Sequence, residues 1–391
     1  MSDANTVPIR MAAARDHLPP ATPSGQQDCV RPYGNERSNS RLTHTLPTGP
    51  WKIRWQADLP ANGMFTALLH SGGRTLVTGR AQWLLFDERG RTLASQPTNG
   101  EDAEMDAARG VFYVANRYSN VAAYHLADGK PQYRFPAEGT ADYARSFLHR
   151  MNGTMAVASF KQTANPMVPI QPKVSALEMY EFAEPPAMDE DLLKSVHQKA
   201  IRHYEVPRLW TAIHAPLLVV TMTNAIEYLD ANLVVRRRFE GAFEPQGISL
   251  DEAGRTYLLA LAEGKQVLWM LSPRAEAVAV PLDHAVYQRP PVIGYDHTVY
   301  LLGANQVTAI TEAGKPAWQY PSNGRISGAM VTANNLLLLA AGNAVVTLDD
   351  HGRPVTQQEF PGESVTLSPV LTAQGELLAV TNRHLYCLTN R

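Results

Sequence analysis

Apolar and polar positions along the chain change register in short, regular steps. In "PPVIGYDHTVYLLGANQVTAITEAGKPAWQY", residues 290 to 320, the run Val299, Tyr300, Leu301, Leu302 is continuously apolar. Such a run predicts a strand covered on both faces. Gly303 to Asn305 supply a tight turn, and Gln306 to Ile310 return as a second strand. Glu312-Ala313-Gly314-Lys315 turns again, with Gly314 free to adopt positive φ. Ala317 to Tyr320 is more polar, as an outermost strand should be, and Pro316 is tolerated at such an edge.

The same order recurs at 66–96, 104–135, 329–360 and 368–389, and more loosely at 209–239 and 247–281. The closing turns at Gly90, Gly129, Gly314 and Gly352 mark the register. Gly90 to Gly129 is 39 residues and Gly314 to Gly352 is 38. Four strands every forty residues or so predict the blades of a β-propeller. Blades are expected to start near 66, 104, 146, 210, 247, 290, 328 and 368. The reading is all-β and eight-bladed; it becomes seven if one irregular unit is not a blade. The eighth unit stops after Tyr386-Cys387-Leu388, one strand short. "PWKIRWQADLP", 50–60, resembles "GKPAWQYPS", 314–322, with Trp55 in the place of Trp318. The strand at 51–59 is therefore expected to complete the last blade and close the ring, which removes exposed edges.

The pattern of these repeats, clearest at Pro291 to Tyr320 and Ser368 to Leu388, resembles the pyrroloquinoline-quinone-like repeat of eight-bladed propellers. The lead-in "YGNERSNSRLTHTLPTGPWKIRW", 33–55, also resembles the segment preceding the first blade in that family. The family has catalytic and non-catalytic branches. Its quinoprotein dehydrogenases hold the quinone under a vicinal cysteine pair, with calcium nearby. Here the two cysteines are Cys29 and Cys387, so that assignment does not transfer and no cofactor is expected. The resemblance implies the non-catalytic branch, similar to outer-membrane assembly lipoprotein scaffolds but without a signal or lipid anchor. It implies a protein partner and transfers no active residue.

The third unit, 146–208, departs from the repeat. "KQTANPMVPIQPK", 161–173, replaces a short turn. Further on, Leu192, Leu193, Val196, Ala200 and Ile201 recur at helical spacing, with acids at 189–191 and bases at 199–203. This predicts an amphipathic helix over 188–203, inserted near the blade.

Residues 1–50 differ in composition from the propeller domain expected over 51–391. They contain seven prolines, five arginines and four acids, and cannot pack a core alone. They are either a flexible tail or an arm lying on the folded body or a partner. The first 25 residues lack an apolar run of signal length, so a cytoplasmic protein is expected. No run of eighteen apolar residues predicts a membrane span. The net charge of −2 argues against nucleic acid as a partner.

In a propeller, the loops leading into each innermost strand share one face with the turns between second and third strands. On this lead-in face the turns bring Arg80, Arg117, Lys161 and Arg383. The lead-in loops bring Arg145, Arg208, Arg289 and Arg325, with Tyr143, Tyr287 and Gln246. Such a rim could focus a small anionic ligand or dock a protein. Glu101, Asp102, Glu104, Asp142, Glu244 and Glu363 fall on the same face and offset that charge. The alternative to a scaffold is a lyase- or hydrolase-type enzyme, or a small-molecule binder, with its site at this channel mouth. Its candidate residues are Tyr143, Arg145, Gln246 and Arg289 together with Asp106. The histidines have no shared metal-binding spacing, and nucleophile-elbow, phosphate-loop and acidic calcium-loop motifs are missing, so neither catalytic residues nor a metal are assigned. "RRRF", 236–239, reads as protection of an outer edge.

Overall fold

The computed structural model describes residues 10–14, 29, 40–47, 49–61, 63–98, 102–116, 120–136, 143–151, 154–161, 175–182, 196–204, 209–214, 217–272 and 277–390. Eight separate antiparallel sheets form the blades of one β-propeller. The innermost strands begin at Phe65, Asp102, Tyr143, Trp210, Glu244, Val292, Ile326 and Val370. In blade 8 the outermost strand is Lys52–Asp58, paired antiparallel to His384–Thr389 from Lys52↔Thr389 to Asp58↔His384. The ring is thus closed by the strand expected to close it.

Burial follows the predicted strand order. Val299–Leu302 is buried throughout, as are Leu337–Ala341 and Ala344–Leu348 in blade 7. The outermost strands Thr92–Pro97, Pro316–Pro321 and Pro354–Glu359 instead alternate between exposed and half-buried. The apolar core lies between successive blades, because each middle strand meets a neighbouring blade on both faces.

One contact recurs between blades. Trp55 donates its indole N–H to the Glu88 carbonyl at 3.0 Å, and Trp318 donates to the Asp350 carbonyl at 2.7 Å. Each ring lies against the turn glycine of the next blade, Gly90 or Gly352. Both glycines have positive φ, 76° and 74°. The turn itself is held by an aspartate three residues earlier. Asp87 Oδ1 accepts the N–H groups of Arg89 and Arg91, both at 2.9 Å. Asp349 Oδ1 accepts those of His351 at 2.9 Å and Arg353 at 2.8 Å. The shared sequence Asp-x-x-Gly-Arg is therefore a turn code, with an Asx-type bond before a left-handed glycine.

Two expectations are corrected. Residues 196–203 are not helical; Val196–Tyr204 is the outermost strand of blade 3, paired to Ser175–Phe182. Lys199 is the extra residue of a bulge, since Met179 pairs Ala200 and Tyr180 pairs Gln198. A bulge shifts the two-residue alternation by one, which left apolar residues at helix-like intervals. Beyond it, residues 199–204 alternate in burial as a strand should. Residues 188–195 and 162–174 lie outside the described residues. The second correction concerns "RRRF". The outer edge of Val235–Glu240 is not bare, because Arg10–Ala14 pairs along it as a fifth strand. Arg236 binds Asp230, Arg238 binds Glu227 and Glu240, and Arg237 is buried over the Phe239 ring.

Segments of the first fifty residues lie on the body. Leu42 N–H donates to Val331 O at 2.7 Å, and Val331 N–H to Ser40 O at 2.8 Å. Arg41 is buried; its guanidinium donates to the carbonyls of Ile293 (2.9 Å) and Gly294, pairs with Glu252, and lies over the Tyr295 ring. His70 N–H donates to Cys29 O at 2.8 Å, and Pro47 packs over Gly375. These contacts fall at the far ends of the innermost strands or in the turns that follow them, in blades 5, 6, 7, 8 and 1. The described parts of the arm therefore lie at the channel end opposite the lead-in face, along these five blades.

Two stability measurements check these points. Alanine at Gly264, where positive φ is the only obstacle, should cost about 1–2 kcal/mol. Gly352→Ala should cost about 1–3 kcal/mol more, since its Cβ would lie 2.6 Å from a Trp318 ring carbon. Equal losses in denaturant melts would remove Trp docking as the reason for glycine there. Arg41→Met should lower stability by about 1–3 kcal/mol for each buried carbonyl left without a donor, against little change for Arg89→Met, whose side chain is exposed and whose turn bond is made by its backbone N–H.

Candidate channel-mouth site

Among the described residues, four innermost strands carry a bulge at their lead-in end. The pairing skips one residue between Phe65 and Ala67, Ala144 and Ser146, Pro245 and Gly247, and Ile326 and Gly328. The skipped residues are Thr66, Arg145, Gln246 and Ser327, in alternate blades. A bulge re-aims a side chain and sharpens local twist. In blades 5 and 7 the next residue is glycine, and both glycines sit hard against the following lead-in loop. A Cβ on Gly247 would collide with the Arg289 carbonyl, and one on Gly328 would lie 2.9 Å from Ser368 Cα. The missing side chains let Arg289 and Ser368 come up to the channel.

There they border a cavity of about 190 Å³, with Thr66 and Leu68 of blade 1, Ser327 of blade 7, Gln288, and Leu367 beside Ser368. Arg289 lies 4.6 Å over the Tyr287 ring and donates from Nη1 to Ser327 O at 3.1 Å. Arg325 donates from Nε to Tyr287 Oη at 3.4 Å. Three of the sequence candidates, Tyr287, Arg289 and Arg325, are thus gathered in one cluster.

The others are spread. Gln246 is buried and accepts from Gln266 Nε2 at 2.6 Å, tying the bulge to the third strand of its own blade. Tyr143 and Lys161 are opposite each other in the first backbone pair of blade 3, with Arg145 at the bulge. Arg80 and Arg383 are exposed in second-to-third turns of blades 1 and 8. Arg117 and Arg208 lie outside the described residues, as do Glu101 and Asp142. Asp106 does not belong to this face. It ends the innermost strand of blade 2, at the opposite end, where Oδ1 accepts Arg109 N–H at 3.1 Å. Thr66 and Ser327 were missed, because an uncharged hydroxyl at a strand end gives no signal unless the bulge is known, and Ser368, in a lead-in loop, carries no charge to mark it.

Of the opposing acids, Glu104 is buried and Glu244 is exposed. Glu363 is engaged by blade 8. It accepts from Thr381 Oγ1 and from Tyr386 Oη at 3.0 Å, and His384 Nδ1 lies at 2.7 Å. Nε2 of the same imidazole faces Asp58 of the closing strand at 3.2 Å. Burial pushes the Glu363 carboxyl up, but the hydrogen bonds from Thr381, Tyr386 and His384 outweigh it and hold it below its ordinary value. The Tyr386 phenol is pushed up to about 12 by burial and by its bond to that carboxylate.

Two clusters resemble chemical sites. Asp283, His284 and Thr308 stand in carboxylate–imidazole–hydroxyl order, at 2.6 and 2.9 Å. Thr308 is only 2% exposed, and the cluster ties the link between blades 5 and 6 to the third strand of blade 6. Asp349, Asp350 and His351 bring three ligand atoms together at a blade 7 turn, where Asp349 already holds two backbone N–H groups. Cys29 and Cys387 are both buried thiols outside any disulfide, and burial followed by the neighbouring Glu376 pushes the Cys387 thiol up.

Eight blades, each built on an antiparallel sheet of at least four strands, define the class, a β-propeller. Within it, residues 252–385 match the family profile described as outer membrane protein assembly factor BamB. No curated protein matches the chain by sequence. Among solved structures, BamB from Moraxella catarrhalis superposes with a TM-score of 0.61 at 9% identity, covering 87% of this chain and 100% of that one. The quinohemoprotein alcohol dehydrogenase from Comamonas testosteroni gives 0.68 at 9% identity, covering 92% and 80%. Sqt1 from Saccharomyces cerevisiae gives 0.60 at 9% identity, covering 89% and 99%. At these identities the likeness is one of fold.

A carboxyl held low in the folded state stabilises it above the unfolded value, near 4.5 for glutamate. That stabilisation is lost as pH falls through the folded value. Glu363→Gln should therefore narrow the stability difference between pH 6 and pH 3, with the two proteins converging on the acid side. An unchanged pH slope in denaturant melts would show that Glu363 does not help hold the last blade.

Proposed function

We propose that this protein is a non-catalytic interaction scaffold or assembly factor whose partner is another polypeptide. The observation that carries the reading is the fifth strand on blade 4. Arg10–Ala14 adds antiparallel to the outer strand, so this ring takes up extended chain at its periphery by backbone pairing. The arrangement of reactive groups supports the same reading. The Asp283–His284–Thr308 and Glu363–His384 clusters join loops to strands, and both thiols are buried. The likeness to BamB, named as an assembly factor, points the same way. We place its action in the cytoplasm, which cell fractionation checks.

The second reading is an enzyme or small-molecule binder at the channel mouth, favoured by the cavity beside Arg289 and by the fold it shares with an alcohol dehydrogenase.

Affinity capture with the full chain should recover a polypeptide at stoichiometric amount, and deletion of residues 1–14 should reduce it. The deletion stops there because 29–47 includes buried Cys29, Arg41 and Leu42, whose loss would disturb the ring itself. A full chain that recovers no stoichiometric partner, with a silent deletion, would count against the scaffold.

A further inference from the structure

The cavity at the lead-in end has a chemistry of its own. Its polar lining is Thr66, Gln288, Arg289, Ser327 and Ser368, drawn from four blades or their lead-in loops. Thr66 and Ser327 reach it because they are bulge residues. The Arg289 guanidinium is fixed at its edge by a ring face and a backbone carbonyl, and Arg325 brings a second positive charge to the same tyrosine. Leu68, which also lines it, has its carbonyl 3.8 Å from Cys29 Sγ. The cavity is therefore a recess among the lead-in ends of these blades.

We propose that this recess binds a carboxylate. Arginine presents a planar fork suited to carboxylate oxygens. Hydroxyl and amide groups around it can donate to the same oxygens. Two guanidiniums above a low-dielectric wall focus an anion towards the mouth. Size narrows the class further. At about 190 Å³ the recess is smaller than sites for drug-sized ligands, which run to roughly 300–1,000 Å³. It fits a small mono- or dicarboxylic acid, or one aspartate or glutamate side chain of a docked polypeptide. This inference deepens the channel-mouth reading by naming the ligand chemistry of that site.

The test is calorimetric titration of the full chain with acetate, succinate, and a blocked Gly/Ser peptide containing one glutamate. Acetamide, succinamide and the glutamine peptide serve as neutral counterparts. The acids should bind at least about tenfold more tightly than the amides, as expected for charged hydrogen bonds. Arg289→Gln should weaken acid binding at least about tenfold. Exposed Arg325→Gln, which spares the cavity wall, should weaken it several-fold and reduce its salt dependence. Tighter binding of the glutamate peptide assigns the carboxylate to a polypeptide; tighter binding of the free acids assigns it to a small molecule. If amides bind as well as acids, the site stands and its ligand class is wrong. If no probe binds, the site falls with it. Acid binding unchanged in both arginine variants also overturns the proposal.

Discussion

The molecule depends on one backbone ladder, the pairing of Lys52–Asp58 with His384–Thr389. It joins the beginning of the ring to its end. Without it, blade 8 would present a bare edge and blade 1 would lose the Trp55 ring that lies on Gly90. The same short strand thus supplies hydrogen bonds to one blade and an indole to the next. Asp58 adds a charge beside His384, which in turn touches Glu363 from the link between blades 7 and 8. Backbone, aromatic and ionic contacts converge where the ring would otherwise open.

Once the ring is closed, its two ends differ. Seating the arm at the far end uses polar groups in satisfied contacts: Arg41 serves two carbonyls, and Asn334 pairs with the backbone of Leu46. A buried arginine is tolerated because its N–H groups meet carbonyls and a carboxylate rather than apolar walls. At the lead-in end, bulges and glycines bring loops together without filling the space between them. That asymmetry, an end contacted by the arm and a recessed end, is a property of the assembled ring and belongs to no single repeat.

Much of the fold could be read in the sequence because its signals are local. Gly90 and Gly352 mark turns through φ and through contact with a neighbouring indole, which lies only about one repeat upstream in sequence. Trp55 announced the closing strand because it copies Trp318. The strand at 196–204 was misread because one bulged residue, Lys199, displaced the alternation that would have revealed it. The burial of Arg41 was illegible for another reason: its partners are about 210 to 250 residues away. For the site, charge led to Tyr287, Arg289 and Arg325, which do cluster. It also led to Asp106, which sits at the wrong end of its strand, and it gave no reason to choose Thr66 or Ser327.

The bulges connect these failures to the chemistry. A bulge costs a ladder hydrogen bond and leaves one residue unpaired, so repeating it at the same end of blades 1, 3, 5 and 7 has a structural consequence. It bends the strand and sharpens its twist where loops must enter, and it re-aims the side chains at the bulges of blades 1, 5 and 7. In blade 5 that side chain is Gln246, used internally; in blades 1 and 7 it is a hydroxyl on the cavity. The repeat therefore supplies a fixed set of re-aimed positions, and the residue placed at each decides whether it braces the ring or faces the channel. A mutation such as Gln246→Ser would change the lining through the brace it removes, whereas Thr66→Val would change the chemistry of the cavity with little effect on the ring.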